Sequence, residues 1–125
     1  MKKILIVDDS KDIRELVIAT LDTTEYKVYE AADATRAIEI ATAEKPDFII
    51  MDVMLEGSVN GIEATKTIKG NPLTRHCKII VLTGTNENWV QKEAIEAGAE
   101  SFFIKPFSPL DLLRRVETIT PGLHR

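Results

Sequence analysis

Five short apolar runs, each followed by an amphipathic stretch, constrain this chain more than any other feature of its sequence. The runs cover residues 4–7, 26–29, 48–51, 79–82 and 102–104. Four are continuous and rich in Ile, Val, Leu or Phe, the composition of strands covered on both faces. The second, Tyr26-Lys27-Val28-Tyr29, carries a charge and predicts a less buried edge strand.

The intervening stretches repeat with helical spacing. Ile13, Leu16, Val17 and Leu21 form one stripe, with Ser10 placed to cap it. Asp33 opens a second helix with Ala34, Ala37, Ile38 and Ala41 inward, and Pro46 follows its end. Ile62, Thr65 and Ile68 mark a third, ending near Gly70-Asn71-Pro72, and Val90, Ala94 and Ala97 a fourth, stopped by Gly98 as a left-handed cap. The fifth opens at Ser108-Pro109-Leu110-Asp111, a capping serine with proline in the first helical position, and turns Leu112, Val116 and Ile119 inward. Strand then helix, five times over, predicts an α/β fold with a parallel sheet and helices on both faces.

At 125 residues the chain is the size of one domain, predicted over residues 1–120 with a short tail at 121–125. Six Gly and five Pro are too few for a low-complexity chain. A net charge of −4 lacks the basic footprint of a nucleic-acid binder, so no nucleic-acid partner is expected through this domain. The single Cys77 has no internal disulfide partner, which suits a reducing compartment. No apolar run reaches the roughly 18 residues of a membrane span. The start at Met1-Lys2-Lys3 is cut short by Asp8-Asp9, well before an export signal would be complete. The expectation is a cytoplasmic protein with no membrane partner.

Open parallel α/β sheets place their sites beyond the carboxyl ends of the strands. Asp8 and Asp9 follow the first run, Asp52 the third, Thr83 the fourth and Lys105 the fifth. Any one of these alone is better read as a helix cap or turn residue. Together they are not. If the first and third strands are neighbours, three carboxylates converge, and like charges that close do not all stay ionised unaided. Either one takes up a proton or a cation sits among them, and an all-oxygen donor set suits Mg²⁺. Lys105 and Thr83 would add an ammonium and a hydroxyl able to bind phosphoryl oxygens. Asp52, at the end of the most hydrophobic run, is the best placed carboxylate to attack phosphorus.

These residues carry a family resemblance. Ile4-Leu5-Ile6-Val7-Asp8-Asp9-Ser10, Ile49-Ile50-Met51-Asp52-Val53-Met54-Leu55, Ile80-Val81-Leu82-Thr83-Gly84 and Lys105-Pro106-Phe107 occur in order at matching intervals. Over nearly its whole length the chain resembles the receiver domain of two-component response regulators, the CheY-like family. The resemblance implies a doubly wound five-stranded parallel sheet, a (βα)5 flavodoxin-like topology with strand order 2-1-3-4-5. It also implies a phosphoacceptor that is not otherwise an enzyme, with Asp52 as the acceptor. Asp9 and Asp52 would ligate Mg²⁺ directly, Asp8 largely through water, and Met54 by its backbone carbonyl. Lys105 would contact the phosphoryl group, with Pro106 after a cis peptide bond. Thr83 would turn inward, and Phe102 would take the place of the aromatic that changes rotamer with it. The implied partners are a sensor histidine kinase or a histidine phosphotransfer protein, and a downstream target that the sequence does not name.

The chain departs from the family after Asp52. Glu56 stands where a proline is common, and Leu55-Glu56-Gly57-Ser58-Val59-Asn60-Gly61 has one residue more than usual. Phe102 lacks the hydroxyl of a tyrosine, which leaves packing alone to carry a signal there.

Other residues read as ordinary. Cys77 is a small core residue at the fourth strand, and neither His76 nor His124 sits in a phosphohistidine-like helical setting. Trp89 falls off the stripe of its helix and is expected to be partly exposed, while Glu87, Lys92, Glu93 and Glu96 form a solvated face. A flavin or nucleotide protein of the same fold is disfavoured, because Asp8-Asp9 replaces the Gly/Ser/Thr-rich phosphate loop and no Walker motif is present. A receiver-like interaction module that is not phosphorylated is the remaining alternative. The Asp-x-Asp nucleophile of a hydrolase is absent, since Val53-Met54 follows Asp52.

Overall fold

A computed structural model describes residues 2–21, 25–54, 60–84 and 88–119. Strands and helices alternate in the order β1 (Lys2–Val7), α1 (Lys11–Thr20), β2 (Tyr26–Ala31), α2 (Ala34–Glu44), β3 (Phe48–Asp52), α3 (Gly61–Gly70), β4 (Lys78–Thr83), α4 (Asn88–Glu96), β5 (Ser101–Ile104) and α5 (Pro109–Ile119). All the strand pairs are parallel, in the order β2-β1-β3-β4-β5. The fold class and strand order are those implied by the resemblance.

The two-residue alternation of the strands divides the core into two layers. Leu5, Val7, Ile49, Met51, Ile79 and Val81 face α2, α3 and α4, where Ala37, Ala41, Ile68 and Ala94 pack against them. Ile4, Ile6, Phe48, Ile50, Ile80 and Leu82 face α1 and α5, meeting Val17, Leu21, Leu112 and Val116. Because β1, β3 and β4 are covered on both sides, they read as unbroken apolar runs. The edge strand β2 is less covered, with Tyr26 and Ala31 buried at its two ends and Lys27 and Glu30 exposed between them, and it runs two residues beyond the expected stretch.

Short polar residues start the helices as the sequence suggests. Ser10 accepts from the Ile13 N–H, Asp33 from Arg36 and Ser108 from Asp111. Gly98, at φ 110°, follows α4 in a conformation that disfavours a side chain, and a Cβ there would stand 2.8 Å from Lys69 Cγ.

The α1 stripe needs a correction. Val17 and Leu21 are buried and Ile13 half-buried, but Leu16 is 44% exposed. One residue is about 100° of rotation on a helix, so Leu16 lies at the margin of an arc centred on Val17. On α2, Ile40 is buried and Ile38 only partly so. The expectations for the loop at 55–59, for Glu87, for His124 and for the tail lie outside the described residues.

Candidate functional site

Strand register alone brings the acidic residues together. Val7 pairs with Met51 across β1 and β3, so the next residues along the two chains, Asp8 and Asp52, stand side by side. Asp52 in turn pairs with Leu82, and Thr83 with Ile104, which puts Thr83 and Lys105 at the same rim. The chain leaves β1 toward β2 on one side and returns as β3 on the other, making this rim the topological switch point where open α/β sheets form sites.

One carboxylate oxygen from each of Asp8, Asp9 and Asp52 lies within 4.8 Å of the others. Asp8 and Asp52 are buried, whereas Asp9 is exposed. Lys105 Nζ stands 2.9 Å from Asp8 Oδ2 and 3.3 Å from Asp52 Oδ1. Backbone amides supply the other contacts: Ser10 N–H donates to Asp8 Oδ1 at 2.9 Å and Met54 N–H to Asp52 Oδ1 at 3.3 Å. The Lys105 amide donates to the Thr83 carbonyl at 2.7 Å, which ties the β5 end to the β4 end. The Lys105–Pro106 peptide is cis.

Three carboxylates facing one ammonium leave an excess of negative charge. Burial, reinforced by the neighbouring Asp8, pushes the Asp52 carboxyl up to about 6, against the opposing pull of Lys105. Burial disfavours the Lys105 charge, but its hydrogen bond to Asp8 and the charges of Asp52 and Asp8 outweigh that and hold it above its ordinary value. The donor set fits a hard divalent cation: all oxygen, closely grouped, with an exposed member on the solvent side. No imidazole or thiolate joins the group among the described residues, so softer metals are not favoured.

Most of the site residues singled out in the sequence therefore fall in or beside one place. Asp8, Asp9, Asp52 and Lys105 meet directly, Met54 adjoins Asp52, and Thr83 is buried at the same rim. Phe102 sits further back, half-buried against the layer under α2, α3 and α4 and opposite Val81. Cys77 is fully buried and its thiol is pushed up to about 11 by burial, the behaviour of an inert core residue. Trp89 is 59% exposed, as its position off the stripe suggests. With Val53, Met54, Asn60, Ile62, Thr83, Val90 and Glu93 it lines a cavity of about 300 Å³ beside the acidic group.

Two contributors escape the sequence reading. Gly61 begins α3 so close to β3 that a Cβ would stand 1.9 Å from the Asp52 carbonyl oxygen. Asn60, with Glu63 three residues on, is a capping signature that could have located this helix start, and Asn60 does accept from the Glu63 N–H at 2.9 Å. The other is Arg14, whose Nη1 donates to the Asp8 carbonyl at 2.6 Å.

Comparison with known proteins gives the family of the chain. Residues 4–117 match the response regulator receiver domain family. The phosphate regulon transcriptional regulatory protein PhoB of Pseudomonas aeruginosa is 37% identical over 118 residues, covering 94% of this chain and 51% of PhoB. The alkaline phosphatase synthesis transcriptional regulatory protein PhoP of Bacillus subtilis is 38% identical over 118 residues, covering 94% and 48%. Among solved structures, the chemotaxis protein CheY4 of Vibrio cholerae superposes with a TM-score of 0.86 at 33% identity, covering 95% of this chain and 98% of that one. The chain belongs to the response regulator receiver domain family of two-component systems. It spans about half the length of the curated PhoB and PhoP relatives. Receiver domains are signalling phosphoacceptors whose family binds Mg²⁺ at an acidic pocket, and this chain has an aspartate cluster at the rim of its sheet. No helix among the described residues is long and apolar enough to cross a membrane.

Proposed function

We propose that this domain, spanning residues 1–120, accepts a phosphoryl group on Asp52 from a histidine kinase, a histidine phosphotransfer protein or a small phosphodonor. The observation that carries the reading is the shared ammonium: Lys105 Nζ within 3.3 Å of both Asp8 and Asp52 at the switch point of the sheet. An Asp52 carboxylate oxygen attacks phosphorus, the bond from phosphorus to the donor's nitrogen or oxygen breaks, and an aspartyl phosphate forms. With its carboxyl near 6, Asp52 is largely ionised at neutral pH, as a nucleophile must be. Asp9 and Asp52 directly, Asp8 largely through water and the Met54 carbonyl would hold Mg²⁺, which neutralises charge on the transferring group. Lys105 binds a phosphoryl oxygen, and its short reach to Asp8 and Asp52 supports this role.

The new dianion draws Thr83 inward, and Phe102 repacks into the space behind it. The output is a shift of the surface made by α4, β5 and α5. Trp89 and Ile95 of α4, Ile104 of β5 and Leu110 of α5 are all exposed, which supports a partner-binding role for that face. The cytoplasm is the compartment such a partner requires.

Beryllofluoride, a phosphoryl mimic, tests the reading. In the presence of Mg²⁺, amide spectra of the wild-type protein should shift at Thr83, Phe102 and α4, and those of Asp52→Asn should not. Spectra of the wild-type protein that stay unchanged would favour an interaction module without phosphorylation.

A further inference from the structure

Asp9 is exposed, and a carboxylate oxygen of it lies within 4.8 Å of those of Asp8 and Asp52, so the course of its own backbone decides whether it can reach that cluster. The peptide that leads into Asp9 is fastened from outside the sheet. The Asp8 amide still donates to Ala31 at 3.1 Å, but the Asp8 carbonyl lies beyond the last residue of β1 and finds its partner in Arg14. Arg14 Nη1 donates to that carbonyl at 2.6 Å while Nε donates to Glu30 Oε1 on β2 at 2.9 Å. The Arg14 side chain is only 15% exposed, and its own amide closes the first turn of α1 on the Ser10 carbonyl. Two directed donors of one planar group thus fix the orientation of the Asp8–Asp9 peptide from two elements at once.

We propose that Arg14, anchored by Glu30, is a positioning residue for the divalent cation site: it holds the Asp8–Asp9 peptide so that the Asp9 carboxylate points at Asp8 and Asp52. The inference rests on the metal-binding reading of the acidic group and adds a residue that touches neither metal nor phosphoryl group.

Charge and geometry make opposite predictions, which allows a clean test. As a cation near three carboxylates, Arg14 repels Mg²⁺, so its removal would tighten binding if charge were its only role. As a positioning group, its loss loosens binding, and lysine does not replace it because an ammonium lacks the paired, fixed donors. Mg²⁺ titrations by calorimetry on the wild-type protein, Arg14→Lys, Arg14→Ala and Glu30→Gln read the difference, with the Asp9 amide resonance followed in parallel. Losing an outer partner of a ligand typically weakens metal binding about 10–100-fold. Arg14→Lys is expected toward the lower end, about tenfold weaker, with a displaced Asp9 resonance in the metal-free protein and an intact cooperative unfolding transition. Glu30→Gln should weaken binding less than Arg14→Ala. Wild-type protein that fails to bind Mg²⁺ would overturn the metal-site reading itself. Wild-type protein that binds while Arg14→Lys binds equally well, or Arg14→Ala more tightly, would overturn the positioning role alone. Should Arg14→Ala not fold, Arg14→Lys and Glu30→Gln carry the test.

Discussion

A Cβ on Gly61 would lie 1.9 Å from the backbone oxygen of Asp52. The start of α3 therefore rests directly on the end of β3, and Gly61 N–H donates to the Val53 carbonyl at 3.0 Å across the same junction. In an ordinary helix, glycine to alanine is worth about 1 kcal/mol of added stability. Here the sign should reverse. Gly61→Ala forces α3 and the Asp52 backbone apart and should cost roughly 1–3 kcal/mol, in the range of overpacked cores. Urea unfolding measures it, and a variant as stable as the wild type would contradict the close approach.

Lys105 is the only cation that the described structure places against both Asp8 and Asp52. Lys105→Met leaves two buried carboxylates facing each other without compensation. Removing one partner of a fully buried pair costs about 3–5 kcal/mol. The Lys105 side chain is 24% exposed, so a smaller loss of roughly 1–3 kcal/mol is expected in metal-free protein at neutral pH. The loss should shrink below pH 6, where Asp52 takes up a proton. A loss that does not vary with pH would argue against this origin.

The Asp52 carboxyl is raised from 3.8 to about 6, and the sign of its pH effect follows. Across that window the folded state holds a proton that the unfolded state has released. Metal-free stability from this group is therefore greatest at low pH and falls as pH rises, by at most about 3 kcal/mol. Glu44 works the other way: its hydrogen bonds to Tyr29 and Lys3 lower its carboxyl, and the stability it contributes fades as pH falls. The readout is accordingly the difference between wild type and Asp52→Asn in denaturation between pH 4 and pH 7 with chelator present. Asp52→Asn should gain on the wild type as pH rises, and a flat difference would contradict the raised value.

Trp89 is the single tryptophan and shares a cavity of about 300 Å³ with Met54 and Thr83. Its fluorescence should therefore report events at Asp52 without an added label. Beryllofluoride with Mg²⁺ should change the emission of the wild-type protein and leave that of Asp52→Asn unchanged. Equal responses from both would place the cause away from the acidic site.

Much of this architecture is legible before folding because each buried strand announces itself as an apolar run and ends in a polar residue. Asp8, Asp52, Thr83 and Lys105 were readable as strand-end residues, and register alone then brings them to one rim. The order of the strands is different, since alternation of strand and helix fixes only the class and the order came from the family resemblance. Gly61 and Arg14 were invisible for a common reason. Each acts on a backbone oxygen, one by lacking a side chain and the other by reaching a carbonyl six residues earlier. Contacts of that kind depend on how elements approach and leave no mark in composition or spacing. Leu16 shows the reverse error, an apolar residue on the stripe that the helix turns outward.

Transfer of a phosphoryl group to Asp52 is the central claim, and intact-mass spectrometry tests it most directly. The protein is incubated with acetyl phosphate and Mg²⁺ and weighed intact, and a second aliquot is reduced with borohydride, which releases the phosphate and leaves homoserine at the acylated position for mapping. The account predicts a single Mg²⁺-dependent phosphoryl adduct, mapped to Asp52 and missing from Asp52→Asn. Wild-type protein that gains no adduct, or an adduct that persists in Asp52→Asn, would contradict it.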